Sequence, residues 1–271
     1  MRGGGGRAVT SRGSTLFAAL LAGVLPACGA PVRAEPFSAA VRAEPGDCVI
    51  VIHGLARTDA SMRPMRAALT EHGYLVVGVT YPSRELPIEE LSERTLPALV
   101  RACRDRDAHR IHFVTHSLGG ILLRHYLEGE ALNDIGRTVM LAPPNQGSEV
   151  VDNWRRVPGY GLINGPAGQQ LGTGPDSVPL RLGPLRSETG IVAGTRTINL
   201  ILSLSLPNPD DGKVSVASTR VENMCAHLQV PVSHPFIMRD EAVIAEVLSY
   251  LGTGRFLSEK AEYPDCPFRD G

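Results

Sequence analysis

Val114-Thr115-His116-Ser117-Leu118-Gly119-Gly120 is the stretch whose reading decides the fold of this chain. It lies between an apolar run, Ile111 to Thr115, and a helix-patterned run, Ile121 to Leu127. Strand, sharp serine-bearing turn and helix, in that order, form the layout of a nucleophile elbow, where the turn lifts the serine hydroxyl above a sheet. Strand and helix backbones nearly touch at such a turn, so small residues are needed two positions on either side of the serine. Gly119 meets that need, whereas Thr115 stands where the pattern has glycine. The pattern is a weak signal by itself. Its weight depends on whether oxyanion donors, an acid and a histidine occur in the right order.

Outward from the elbow, the hydrophobic period switches repeatedly between strand and helix. Cys48 to Ile52 is a continuous apolar run, as expected of a strand covered on both faces. Met62, Met65, Ala68 and Leu69 recur at helical spacing before Gly73, and Tyr74 to Val79 is the next apolar strand. Ile88, Leu91, Leu96, Leu99, Val100 and Cys103 mark a helix opened by Pro87. After the elbow come a helix over 118–128 and a strand from Thr138 to Leu141. Residues 143–187 break the rhythm. They are rich in Gly and Pro and hold the one tryptophan, Trp154, and a connection this long reads as a flap. In it Trp154, Val157, Tyr160, Leu162 and Ile163 are candidates to touch an acyl chain, the alternative being an ordinary local apolar cluster. The rhythm resumes with strands at Gly190–Gly194 and His227–Val232. A last helix follows, with Val243, Ile244, Val247, Leu248 and Leu251 on one face and Gly252 expected as its end. This alternation predicts a mainly parallel sheet with helices on both faces.

Three further segments join Ser117. Val51-Ile52-His53-Gly54-Leu55 ends the first strand, and Gly54 lets the backbone pass close to a substrate. The backbone N–H of Leu55, with that of Leu118 directly after the serine, would form a two-donor oxyanion hole. His53 precedes the serine, which is the wrong order for a base in this layout, and reads as structural support together with Gly54 and Gly119. Asp210-Asp211-Gly212-Lys213-Val214-Ser215 supplies an acid after a late strand, with Asp211 preferred and Asp210 its rival; a plain Asp-Gly turn is the bland reading. Val232-Ser233-His234-Pro235-Phe236 supplies the base, His234, two residues past the last strand. His227 would face the opposite end of the sheet, His116 would pack under the elbow, and His125 belongs to its helix. His72, His109 and His112 read as loop or element-edge residues. His112 and His116 have no evident third partner, so no metal site is expected. The order Ser117, Asp211, His234 differs from the orders in the chymotrypsin and subtilisin layouts.

Composition bounds the remaining classes. The chain has 271 residues, 43% hydrophobic and 20% charged, with a formal charge of −1, which argues against nucleic acid as a partner. Residues 1–34 read as a signal peptide: Arg2, Arg7 and Arg12 form a basic start and Leu16 to Leu25 an apolar core too short to span a bilayer, which needs ~20 residues. Val32-Arg33-Ala34 fits a cleavage site; a cut at Cys28-Gly29-Ala30, a lipid anchor at Cys28 and an uncleaved N-terminus are the alternatives. Cleavage after Ala34 would leave 23 basic and 28 acidic residues, a charge of −5, in a mature domain over 35–271. Cys48, Cys103, Cys225 and Cys266 then form an even set that allows three pairings. Cys48 begins a strand and Cys103 ends a helix returning to the same end of the sheet. The favoured pairs are therefore Cys48–Cys103 and Cys225–Cys266, with buried free thiols as the alternative.

On these motifs the chain resembles the α/β-hydrolase superfamily, in particular its small bacterial lipase and esterase branch. Val51-Ile52-His53-Gly54-Leu55-Ala56 resembles the oxyanion segment of bacterial lipases. Leu141-Ala142-Pro143-Pro144-Asn145-Gln146-Gly147-Ser148 resembles the segment after the elbow strand in lipases and in the lipase-like inositol deacylases of glycolipid anchors. Asp211-Gly212-Lys213-Val214-Ser215 resembles their acid loop. The resemblance covers about 47–252. It implies a reduced α/β-hydrolase fold of about six strands, since 13 residues separate Ala34 from Cys48. It further implies an exported enzyme that cleaves carboxylic esters through an acyl-serine, with no metal or organic cofactor. The substrate would be a small-molecule or lipid ester, and contact with a lipid surface would be transient. Acyl transfer, amide cleavage and a non-catalytic binding protein on the same scaffold are the competing readings. Oligomeric state is not legible.

Overall fold

The computed structural model describes residues 42–268. The expected signal peptide over 1–34 and the lipid-anchor alternative at Cys28 lie outside the described residues. Six strands form one sheet: β1 (Asp47–Ile52), β2 (Leu75–Gly78), β3 (Arg110–His116), β4 (Ile135–Leu141), β5 (Thr189–Gly194) and β6 (Ala226–Val230). Their spatial order is β2-β1-β3-β4-β5-β6, and every neighbouring pair is parallel. The helices between them are α1 (Arg63–Glu71), α2 (Ile88–Arg104), α3 (Leu118–Gly129), α4 (Glu149–Trp154), α5 (Tyr160–Gln169), α6 (Val178–Arg181), α7 (Leu200–Ser203), α8 (Val216–Thr219) and α9 (Glu241–Thr253).

Alternation along each strand sends side chains to two separate cores. Cys48, Ile50 and Ile52 of β1 and Phe113 of β3 pack with Leu96, Val100, Ile121 and Leu122 of α2 and α3. Val49, Val51 and Val114 point the other way, onto Met65 and Leu69 of α1 and Val243 and Val247 of α9. A sheet sealed on both faces explains why its strands read as continuous apolar runs rather than as half-polar ones. Cys48 is bonded to Cys103 and Cys225 to Cys266, with Cα–Cα distances of 5.9 and 4.7 Å. These are the favoured pairings.

The chain steps from β1 outward to β2, then crosses back to β3 on the other side of β1. That reversal is a topological switch point, and parallel sheets bind ligands in the crevice beyond the carboxyl ends of the strands at such a point. Here the crevice lies between the end of β1 and the end of β3, where Ile52 pairs with Thr115. His53-Gly54-Leu55 and Ser117 follow directly from those two strand ends.

Several sequence expectations move. Residues 143–187 are not one loop: they carry α4, α5 and α6. Gly and Pro chop these helices short, and their apolar residues divide between the cavity wall (Val150, Tyr160) and the core shared with α2 and α3 (Ala167, Val178), so no regular stripe shows in the sequence. The last helix runs through Gly252 and ends with Gly254 in the left-handed conformation, φ 72°. His112 is not an edge residue. It is the third residue of β3 and buried, with its Nδ1 accepting from the Arg137 N–H at 3.0 Å and its Nε2 3.4 Å from Asp47.

Candidate active site

Ser117 sits between β3 and α3 with φ 52° and ψ −119°, a region that L-residues avoid. Its N–H donates to the Leu141 carbonyl at 2.9 Å, which fixes the turn to β4. The hydroxyl is 3.1 Å from Nε2 of His234, and Nδ1 of His234 is 2.7 Å from Oδ2 of Asp211. All three residues are buried. The His234 N–H also donates to the Asp211 carbonyl at 3.0 Å, so backbone and side chain both register the two loops. Oδ1 of Asp211 accepts from the N–H groups of Lys213 and Val214 at 3.0 and 2.8 Å, which leaves Oδ2 for the histidine. Asp210 faces elsewhere: it accepts from the Gly212 N–H and the Ser203 hydroxyl, both at 2.7 Å.

Leu118 is the first residue of α3, and the first N–H groups of a helix have no partner within it. They concentrate the positive end of the helix dipole next to Ser117. Leu55 lines the cavity that holds Ser117. A Cβ on Gly54 would lie 2.7 Å from His116 Nδ1 and 3.1 Å from Ser117 Cβ, so the loop approaches the elbow this closely only with glycine there. Beyond it, Ala56 has φ 54°, and its N–H donates to the Ser83 hydroxyl at 3.0 Å.

His53 braces this loop. Its ring stacks on Tyr81 at 4.0 Å between centroids. Its Nδ1 donates to the Gly54 carbonyl at 2.9 Å, and Nε2 accepts from the Tyr81 N–H at 3.3 Å. The Tyr81 hydroxyl donates to the His53 carbonyl at 2.6 Å. Burial holds the His53 pKa below its ordinary value, so the ring stays neutral in this network. His116 packs under the elbow and donates through Nε2 to the His234 carbonyl at 3.2 Å. Burial, then the neighbouring His234, drive its pKa well down. His227 lies on β6 with Nε2 2.9 Å from the Thr219 hydroxyl, and burial lowers its pKa to about 4. His125 lies on α3, half-buried. Among the described residues no cluster of three or more His, Cys, Asp or Glu could hold a metal.

Tyr81, Ser83 and Arg124 carry no signal in the sequence as supports. Arg124 is buried on α3 and donates to the carbonyls of Asn145, Pro179, Leu182 and Gly183 at 3.0–3.3 Å and to Asn145 Oδ1 at 3.2 Å. Burial lowers its pKa only to about 10, so it remains a cation at neutral pH. Asn145 Nδ2 then donates to Thr219 and Ser148 Oγ to the Lys213 carbonyl, both at 2.7 Å. The elbow helix is thereby tied through 143–187 to the loop that carries Asp211.

The cavity over Ser117 has a volume of about 260 Å³ and an apolar wall of Leu55, Pro144, Val150, Val151, Leu171 and Val214. Of the five candidate flap contacts, only Tyr160 lines it. Val157, Leu162 and Ile163 are 43%, 89% and 63% exposed, and the Trp154 indole donates to the Ser205 hydroxyl at 3.3 Å. Ser148, Asn164 and Gly168 line it without having been expected to.

A parallel sheet with a strained serine at its switch point and a histidine and carboxylate arriving from later strands defines the α/β-hydrolase class of fold. The chain belongs to the alpha/beta hydrolase family, whose model matches residues 49–247. No curated protein matches it at the sequence level. Among solved structures it is similar to the propeptide form of the lipase BlEst2 of Bacillus licheniformis, with TM-score 0.64 and 19% identity over 81% of this chain. The match spans only 53% of that protein. The mature form of BlEst2 aligns with TM-score 0.58 and 16% identity over 76% of this chain and 90% of that one. A metagenomic carboxyl esterase, MGS0156, aligns with TM-score 0.55 and 15% identity over 78% and 73%. At these identities the likeness is one of fold.

Proposed function

We propose that this protein is an exported serine hydrolase that cleaves carboxylic esters, with Ser117 as nucleophile, His234 as general base and acid, and Asp211 as the orienting carboxylate. The observation that carries this reading is the chain of contacts from Ser117 Oγ to His234 Nε2 and from His234 Nδ1 to Asp211 Oδ2, at 3.1 and 2.7 Å. The Asp211 bond keeps the proton of the neutral ring on Nδ1, so Nε2 presents its lone pair to the serine. His234 takes the Ser117 proton as Oγ attacks the ester carbonyl. The N–H groups of Leu55 and Leu118 receive the oxyanion, a role in which one donor typically contributes about 2.7–4 kcal/mol. As the tetrahedral intermediate collapses, the C–O bond to the alcohol breaks and the alcohol leaves with the proton from His234. Water, deprotonated by His234, then attacks the acyl-serine and releases the acid.

The cavity supports an ester of modest size: its volume lies just below the ~300–1,000 Å³ common for ligand pockets. Two disulfides support an oxidising compartment and hence export. The described part of the mature chain reads as one catalytic domain in which 143–187 forms the cavity wall. Ser117→Ala should abolish turnover of p-nitrophenyl butyrate and labelling by a fluorophosphonate probe, with thermal unfolding nearly unchanged. Retained activity would remove Ser117 from its role.

A further inference from the structure

The cavity over Ser117 holds charge that ester cleavage does not use. Its charged lining residues, histidines aside, are Arg57 and Lys213, and no carboxylate lies in its wall. Arg57 follows Leu55 by two residues and Lys213 follows Asp211 by two, so the cations arrive from two separate loops. Neither forms an ion pair with a carboxylate among the described residues. The acid that acts most on Lys213 is Asp211, which is already bonded to His234. Burial, then repulsion from Arg57, push the Lys213 ammonium below its ordinary pKa, although the side chain keeps exposed surface. Two like charges lining one cavity repel each other, and a bound anion would turn that cost into attraction.

Position indicates which half of the ester would carry the anion. Val150, Val151 and Leu171 are buried and offer the acyl chain an apolar wall. Arg57 is exposed and also borders an adjoining groove of about 400 Å³, where Arg84 joins it against a single carboxylate, Glu85. An alcohol leaving toward solvent would pass these cations. Two cations match the two charges of a phosphate monoester.

We propose that Arg57 and Lys213 form an anion subsite for the alcohol half of the substrate, so that the preferred ester is an acylated phosphorylated alcohol. This rests on the ester-hydrolase reading above. The reaction is unchanged: the acyl C–O bond breaks, water is added, and the phosphate leaves intact on the alcohol.

The test compares 1-butyrylglycerol with 1-butyrylglycerol 3-phosphate. The wild-type protein should favour the phosphate ester on the order of tenfold in kcat/KM at low salt, mostly through KM, as expected of two partly screened charge pairs. The ratio should shrink with added salt. It should fall near one in Arg57→Gln/Lys213→Gln, and part of the way in Arg57→Gln alone, a change at an exposed position. A wild-type ratio near one both with the soluble esters and with the corresponding long-chain pair in vesicles, or a ratio indifferent to both salt and substitution, overturns the subsite and leaves ester hydrolysis standing. If neither ester is cleaved, the hydrolase reading fails separately. Calorimetry with glycerol 3-phosphate then decides the subsite: binding lost in the double variant supports it, and no binding to wild type overturns it. A long-chain acylglycerol phosphate in phosphatidylcholine vesicles separates the sources. Preference seen only there assigns the phosphate to a lipid headgroup, and preference already present with the soluble ester assigns it to a water-soluble alcohol.

Discussion

Asp210 and Asp211 are adjacent and both buried, yet they have different work. Asp210 holds the turn through Gly212 and Ser203, while Asp211 spends one oxygen on backbone N–H groups and turns the other to His234. In Asp211→Asn the amide would face Nδ1 with either a donor or an uncharged acceptor, and the imidazolium formed during proton transfer would lose its counter-charge. A loss of roughly 10⁴ in kcat is the expected scale for an orienting carboxylate. Asp210→Asn keeps a carbonyl oxygen for the Gly212 N–H, and the Ser203 hydroxyl can rotate to accept. It should cost about 1 kcal/mol of stability and less than tenfold in rate. Steady-state kinetics and urea unfolding of both variants check this, and the reverse ranking would move the acid by one residue. The sequence favours Asp211 because it stands at the tight turn, but the division of its two oxygens is legible only in three dimensions. Tyr81, Ser83 and Arg124 were missed for a related reason. Each supports the site through backbone groups distant in sequence, and no local spacing marks such a partnership.

At the scale of the element, Thr115 in the glycine position of the elbow has a structural answer. A Cβ on Gly119 would lie 2.7 and 2.9 Å from the carbonyl oxygens of Ile52 and His53, so this glycine accommodates the end of β1 and not Thr115. A Cβ on Gly120 would lie 3.2 Å from Thr115 Oγ1 and 3.2 Å from Pro143 Cβ. The close approach between strand and helix thus falls at Gly120, which makes room for the threonine side chain that the five-residue pattern disfavours. Gly119→Ala must displace two backbone carbonyls at the base of the loop that carries Gly54 and Leu55. It should cost about 1–3 kcal/mol by overpacking and slow the reaction markedly, because Leu55 lies two residues further on. Gly120→Ala meets one side-chain oxygen and one Cβ that can shift by a few tenths of an ångström, so it should be milder in both respects. In Thr115→Ala the Oγ1 contact is gone, and Gly120→Ala should then cost less than it does alone; thermal unfolding of the four proteins measures that coupling. The period of the flanking runs made strand and helix legible here. The pairing of Thr115 with Gly120 was not, since which helix residue meets which strand residue depends on how the turn is wound.

At the scale of the molecule, the parallel sheet was legible because burial on both faces gives each strand an uninterrupted apolar run. The helices of 143–187 were not, because these short, broken segments divide their apolar residues between the cavity wall and the core. The sheet also separates stability from chemistry. Ser117, His234 and the Leu55 loop lie beyond the carboxyl ends of the strands, whereas Cys48 is the second residue of β1 and bonds the last turn of α2 at the opposite end. This disulfide closes a loop across the β1–β2–α2 part of the fold, with a sequence separation of 55. In the chain-entropy account, a closed loop of this length restricts the unfolded chain by about 4 kcal/mol. Residual structure in the unfolded chain reduces what is measured, so Cys48→Ala/Cys103→Ala should lose about 2–4 kcal/mol. In a domain of this size that corresponds to a fall of about 5–15 °C in Tm. Because the bond stabilises chiefly by restricting the unfolded chain and lies at the far end of the sheet, kcat at 25 °C should stay within about twofold of wild type. Differential scanning calorimetry with parallel ester kinetics tests both halves. A large loss of rate at a temperature where the variant is still folded would mean that strain or motion at the amino ends of the strands reaches Leu55 through β1, and that the two ends of the sheet are mechanically coupled.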